Sequence, residues 1–211
     1  MSTRWQNVKE KSMSYVITIG RQHGCGGRVI GKDLADRLGI EYYDKNIIHQ
    51  LIADDCGMDE EMVSEFMEKK GSSLLYEMAS GFGKSNPLDE QVYISKTRII
   101  KELADNHTCV IVGKCADYIL RDYDNVLNVF LYADVQDRID RIVSVYKDFP
   151  AITEKQLHKM DKQRANYYKF YTSRKWGDSS NYDIMINTSV GLDNVTSMLE
   201  TIALGRFGGQ K

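Results

Sequence analysis

The stretch YVITIGRQHGCGGRVIG, Tyr15 to Gly31, constrains this chain more than any other. Tyr15 to Ile19 alternates β-branched and apolar residues, the pattern of a strand. Gly20, Gly24, Gly26 and Gly27 then crowd a turn. Val29, Ile30, Leu34 and Leu38 mark one face of a helix, which Gly39 ends as a C-cap glycine does. The alternation repeats down the chain. IEYYD (Ile40 to Asp44), TCVIVG (Thr108 to Gly113), VLNVFLYA (Val126 to Ala133) and YDIMIN (Tyr182 to Asn187) read as further strands. Helical patterns separate them: one opening on Ile47, Ile48, Leu51 and Ile52, then MDEEMVSEFMEKK, then a long helix from about Asp89 to Asn106. Another starts at Asp134, a candidate cap, and a basic one follows Thr153. Val195, Met198, Leu199 and Ile202 give the last its apolar stripe. Strands joined by helical crossovers pair in parallel, with helices on both faces. The expectation is a doubly wound α/β domain whose ligand site lies at the carboxyl ends of the strands. Gly20 to Arg28, Asp44, Gly113, Lys114 and Asn187 all follow strands, so they should share one rim.

Composition narrows the classes. A net charge of −2 over 211 residues carries no global nucleic-acid signature, and no run approaches the roughly 20 apolar residues that span a bilayer. Cys25, Cys56, Cys109 and Cys115 fall in no paired metal spacing and read as reduced thiols, which suits a cytoplasmic protein. Trp5 to Ser14 is polar and charged, and residues 1–14 read as a flexible extension, with one domain from 15 to 211. Gly71 to Asp89 is the stretch expected to be most flexible.

Three readings of the glycine turn compete. It can be a tight turn, in which glycine supplies positive φ and close packing. It can belong to a dinucleotide fold: Gly20, Gly24 and Gly26 match a G-x-x-x-G-x-G turn, and Tyr171 and Lys175 stand at Tyr-x-x-x-Lys spacing. Against this, only one strand remains after Lys175. Or it can be a phosphate loop, with RQHGCGGR in the G-x-x-x-x-G-K-[ST] frame, where backbone N–H groups cradle an anion. In that frame Gly27 stands for the lysine and Arg28 for the hydroxyl residue. Arg28 could reach a phosphate from the first helical turn, while Lys32 reads better as a solvated helix charge.

The chain as a whole resembles the cytidylate kinase-like family, a branch of the P-loop nucleoside monophosphate kinases. The resemblance is carried by ITIGRQHGCGGRVIGKDLADRLGIEYYDKNII, VIVGKCADYIL, FLYADVQDRIDRI, RANYYKFYTSRKWGD and NYDIMINTS. It implies a five-stranded parallel sheet of order 2-3-1-4-5 with a helical acceptor-binding insertion, about residues 45–105, and a lid, about residues 144–180. It also implies phosphoryl transfer from ATP, with Mg²⁺, to a nucleoside monophosphate, CMP or a related acceptor. Gly24, Cys25, Gly26, Gly27 and Arg28 would hold the ATP phosphates. Asp44, Lys114 and Asp117 would face the acceptor, although Asp44 reads equally well as a helix cap. Gln50 and Lys114 stand where the family carries arginines.

Phosphoryl transfer needs in-line positioning and positive charge, not a protein nucleophile. The basic run from Arg138 to Lys175 falls between the fourth and fifth strands, where such kinases keep a lid. Arg141, Arg164 and Arg174 are the expected catalytic cations beside Arg28, with Asp161 able to position one of them. Tyr167, Tyr168 and Tyr171 read as packing. Asp117 could help hold Mg²⁺ instead of the acceptor base, and the missing lysine and hydroxyl leave a catalytically silent nucleotide-binding relative as the alternative. The partners expected are small nucleotides, with neither nucleic acid nor membrane, and the helices before Asp89 could support a homodimer.

Overall fold

The computed structural model describes residues 14–72, 87–147 and 149–208. The N-terminal extension, Ser14 apart, and most of the stretch from Gly71 to Asp89 lie outside the described residues.

β1 (Val16–Arg21) is central because it is apolar on both faces: Val16, Ile17 and Ile19 have no exposed surface. Parallel strands covered on both sides read as continuous apolar runs, and β3 (Cys109–Val112), buried throughout, is such a run. Val16 pairs with Cys109 of β3 on one side and Val126 of β4 (Val126–Tyr132) on the other. β2 (Glu41–Tyr43) lies outside β3, and β5 (Ile184–Asn187) outside β4. The sheet is parallel throughout, in the order β2-β3-β1-β4-β5, as expected.

Two apolar clusters flank it. On one face α1 (Gly27–Leu38) and α8 (Leu192–Phe207) pack on Ile17, Ile19, Val110 and Leu127. On the other, α2 (Lys45–Cys56), α3 (Glu60–Ser72), α4 (Pro87–Asn106) and the short α5 (Ala116–Ile119) close over Val16, Ile111 and Val126. α6 (Val135–Arg141) runs on into a π-helical turn, Ile142–Tyr146. α7 (Glu154–Thr172) packs on α3, and its start is fixed by a capping box between Thr153 and Gln156.

Two apolar stripes differ from expectation. Val29 is 39% exposed, and Met198 and Ile202 are 50% and 38% exposed. In α8 the buried row is Val195, Leu199 and Ala203, with Phe207 completing it. Residues four apart form one ridge, and that ridge, with Thr196 beside it, is the buried side of the helix. Asp134 is the N-cap of α6, but its side chain makes no cap hydrogen bond. Instead its backbone N–H donates to Ser189 Oγ at 3.1 Å.

Candidate active site

The glycine loop links β1 to α1 at the carboxyl rim. Gly24 and Gly26 have φ of 79° and 96°, a region that favours glycine. Each also meets neighbouring atoms closely: a Cβ on Gly24 would lie 2.7 Å from the Arg138 carbonyl oxygen, and one on Gly26 2.5 Å from Leu192. Close packing is therefore part of what the turn demands. Cys25 points into the core, where its thiol donates to the Leu131 carbonyl at 3.5 Å, and burial pushes its pKa up. Thr188, after β5, donates to the Cys25 carbonyl at 2.6 Å. The loop delivers α1 with Gly26 as N-cap, no side-chain cap and no acid in the first turn. That N-terminus favours an anion.

Arginines surround the loop. Arg164 donates to the Arg21 carbonyl at 3.0 Å, Arg138 to the His23 carbonyl at 2.8 Å, and Arg141 to the Gly24 carbonyl at 2.8 Å. Three successive stretches of loop backbone are thus held from α6 and α7. Asp161 pairs with Arg138 rather than with Arg141, Arg164 or Arg174, and it also accepts the His23 N–H at 2.8 Å. Arg138 lies deeper than any of those three and is 2% exposed, which explains why it takes the carboxylate: a buried cation needs its partner most. Arg28 is exposed, with its guanidinium 4.5 Å from the centre of the Tyr146 ring. Arg174 lies further off, 5.1 Å from the Tyr118 ring centre.

The acceptor-side residues divide. Asp44 caps α2, accepting N–H groups of Asn46 at 2.9 Å and Ile47 at 3.3 Å. Lys114 sits on β3's outgoing turn in a left-handed conformation, φ 60°, where its ammonium touches Nε2 of the buried His49. Since ammonium only donates, Nε2 is the acceptor. Burial and Lys114 lower the His49 pKa to about 3. Asp117 is buried, accepts the Tyr168 hydroxyl at 2.6 Å, and has its pKa raised by that burial. Between this group and α7 lies Lys96, 1% exposed, with Tyr93, Tyr167 and Tyr171 ring centres 4.5, 5.3 and 4.1 Å from its ammonium.

Residues 16–190 match the model of a family described as the cytidylate kinase-like family. The chain belongs to that family. Among curated proteins it is 25% identical over 177 residues to a cytidylate kinase of Archaeoglobus fulgidus, covering 82% of this chain and 84% of the relative. Among solved structures it is similar to an uncharacterized protein from Eubacterium ventriosum, with 28% identity, a TM-score of 0.63, and 90% and 98% of the two chains covered. A shikimate kinase from Bacteroides thetaiotaomicron shares the fold alone, with 12% identity, a TM-score of 0.54, and 89% and 97% covered. That kinase structure thus shares the doubly wound five-stranded sheet of this chain.

For a member of the cytidylate kinase-like family, the Tyr171 and Lys175 spacing has a plain explanation. Tyr171 stacks on Tyr93 with ring centres 4.8 Å apart, so its ring is part of the packing around Lys96. Sequence reasoning overlooked Arg21, His23, His49 and Lys96, and it did not single out Arg138 within the basic run. Arg21 and His23 carried a signal, because both stand inside the loop itself. Nothing in a linear pattern distinguishes Lys96 from a solvated helix lysine.

Proposed function

We propose that this protein transfers the terminal phosphoryl group of ATP to a nucleoside monophosphate, CMP or a related acceptor. The observation that carries this is the uncapped N-terminus of α1, set at the carboxyl end of β1 and ringed by arginines. Backbone N–H groups from Gly24, Cys25, Gly26, Gly27 and Arg28 would hold the nucleotide phosphates. Arg28, Arg141, Arg164 and Arg174 would supply charge to the transferred group. A guanidinium has five N–H donors, so the bonds that Arg141 and Arg164 make to the loop leave others for a ligand. Asp44, Lys114 and Asp117 would face the acceptor, with α2 to α4 as its insertion and the segment from about residue 144 to 180 as the lid.

Mg²⁺, when bound, would neutralise charge on the phosphates. Among the described residues no group of three or more His, Cys, Asp or Glu side chains could hold a metal ion, and the loop offers no hydroxyl at Gly27 or Arg28. The phosphates themselves would therefore be its chief ligands, as Mg²⁺ in such sites needs few carboxylates. The four free cysteines suit a reducing cytoplasm. None of the described helices is long and apolar enough to cross a membrane. A homodimer over the helices before Asp89, α2 and α3, belongs to the same proposal.

The second reading, a silent nucleotide-binding relative, draws on glycine and arginine standing where lysine and hydroxyl are usual. A panel of nucleoside monophosphates incubated with ATP, with ADP release as the readout, separates the two. Turnover with CMP or a near relative supports the kinase. ATP binding without turnover of any acceptor supports the silent relative.

A further inference from the structure

Gly27 occupies the frame position of the loop lysine, and the structure supplies a reason. The Arg21 side chain leaves the end of β1 and crosses the Cα of Gly27. A Cβ on Gly27 would meet Arg21 Cγ at 2.8 Å and Cβ at 3.2 Å. Gly27 is not among the residues with positive φ, so its backbone does not demand glycine, whereas the space does. Further out, the guanidinium lies against Gly113 at the end of β3. A Cβ there would meet Arg21 Cζ at 2.9 Å and Nη2 at 3.3 Å. Gly113 has φ of 84°, which favours glycine on its own account. Two glycines from different parts of the rim thus leave room for one side chain.

Among the described residues that side chain has no anionic partner. Its guanidinium makes no hydrogen bond and no ion pair with them, and the arginines that act on it, Arg164 and Arg28, are themselves cations. Burial and Arg164 draw its pKa down to about 9. A cation held between strand ends without a carboxylate is costly unless an anion joins it.

A second group beside it is equally unanswered. His23 Nδ1 lies 3.1 Å from Arg164 Nη2. Guanidinium can only donate, so Nδ1 accepts and Nε2 carries the proton. Nε2 is buried and finds no partner among the described residues. Burial, then Arg164 and Arg138, lower the ring's pKa to about 3, so it remains a neutral donor. A buried donor without an acceptor calls for a ligand or an ordered water.

We propose that Arg21 is the phosphate-gripping cation of this loop, its side chain filling the room a lysine at position 27 would take, with His23 Nε2 donating to the same anion. The inference rests on the phosphate reading of the glycine loop. It moves the principal cation from the first helical turn, where Arg28 lies over the Tyr146 ring, to the last residue of β1. A guanidinium grips phosphate through a planar fork, where lysine acts as a point charge. The swap therefore changes the geometry of the grip while keeping its sign.

Calorimetric titration with ADP and with adenosine tests this without turnover. Wild type should bind ADP well above adenosine. Arg21→Met should lose about tenfold or more in ADP affinity, the effect of removing a charge-assisted hydrogen bond, with adenosine affinity unchanged. Gly27→Lys alone should also weaken ADP binding, because the new stem collides with Arg21. The double variant Arg21→Gly/Gly27→Lys should recover most of the loss, and His23→Phe should cost severalfold. Circular dichroism monitors folding in each. If wild type does not distinguish ADP from adenosine, the phosphate reading falls and this inference with it. If wild type distinguishes them and folded Arg21→Met does so equally well, the Arg21 assignment alone is overturned. Should Arg21→Met fail to fold, the double variant decides: restored ADP preference supports the swap, and a folded protein without it refutes the swap.

Discussion

His23 and His49 stand at different parts of the rim, and each is held neutral by burial and nearby cations, with pKa near 3. An unfolded histidine titrates near 6.5. The folded value is the lower one, so the unfolded chain binds the extra proton first. The stability these rings contribute is complete above pH 6.5 and declines as pH falls from there toward 3. Urea unfolding at pH 7 and pH 5 should show the decline. His49→Gln keeps an acceptor for Lys114 but does not titrate, and it should remove up to roughly 2 kcal/mol of the difference. An unchanged pH dependence would mean that His49 is protonated in the folded state. Arg138 invites a different test. It is 2% exposed, joins Asp161, and holds the His23 carbonyl at 2.8 Å. Arg138→Ala leaves a half-buried carboxylate short of its cation and should cost about 3 kcal/mol or more in urea unfolding. A cost under about 1 kcal/mol would show that the pair is only a surface contact.

Lys96 ties two elements together. It comes from α4, while two of the three rings around it come from α7, and its amine lies 3.2 Å from the Tyr167 hydroxyl. It is among the largest fully buried side chains described. Lys96→Ala should open a cavity under stacked rings and cost about 3 kcal/mol, with Lys96→Met, which refills most of the volume, costing less than half as much. Thermal unfolding of the two variants checks the order. The contrast also marks what could be read in advance. Alternating strand and helix patterns specify that the strands run parallel, because each helical crossover returns the chain to the same end of the sheet, whereas the order 2-3-1-4-5 is implied by the family resemblance. Gly39, Asp44 and Thr153 are local signals, and each lies at the helix end it was read to mark. Side-chain direction has no such local rule. Met198 and Ile202 follow a helical period yet sit on the outer rows of α8. In the same way, three arginines of α6 and α7 spend hydrogen bonds on loop carbonyls, a choice set by tertiary approach that no spacing encodes.

At the scale of the whole molecule, α7 and the glycine loop are one mechanical unit, although their partners are far apart in sequence. Arg164 donates to the Arg21 carbonyl and faces His23 Nδ1, while Asp161 accepts the His23 N–H. An arginine that engaged only on lid closure would leave ground-state nucleotide binding nearly untouched when removed. Arg164 is not placed that way, because its loss frees the loop backbone and the histidine tautomer together. Arg164→Ala should therefore weaken ADP binding severalfold and raise amide hydrogen exchange across residues 21–26, with or without nucleotide. Arg174 bonds to no loop atom in the described structure and leans on Tyr118. Arg174→Ala should leave loop exchange and ADP affinity within about twofold of wild type, and slow turnover on order of 10²-fold if its charge is needed in the transition state. Exchange measured by mass spectrometry does not depend on finding the acceptor, so the mechanical half of the comparison stands by itself. Equal exchange in Arg164→Ala and wild type would break the link between α7 and the loop, and would return Arg164 to the proposed role of a cation that acts only at the transition state.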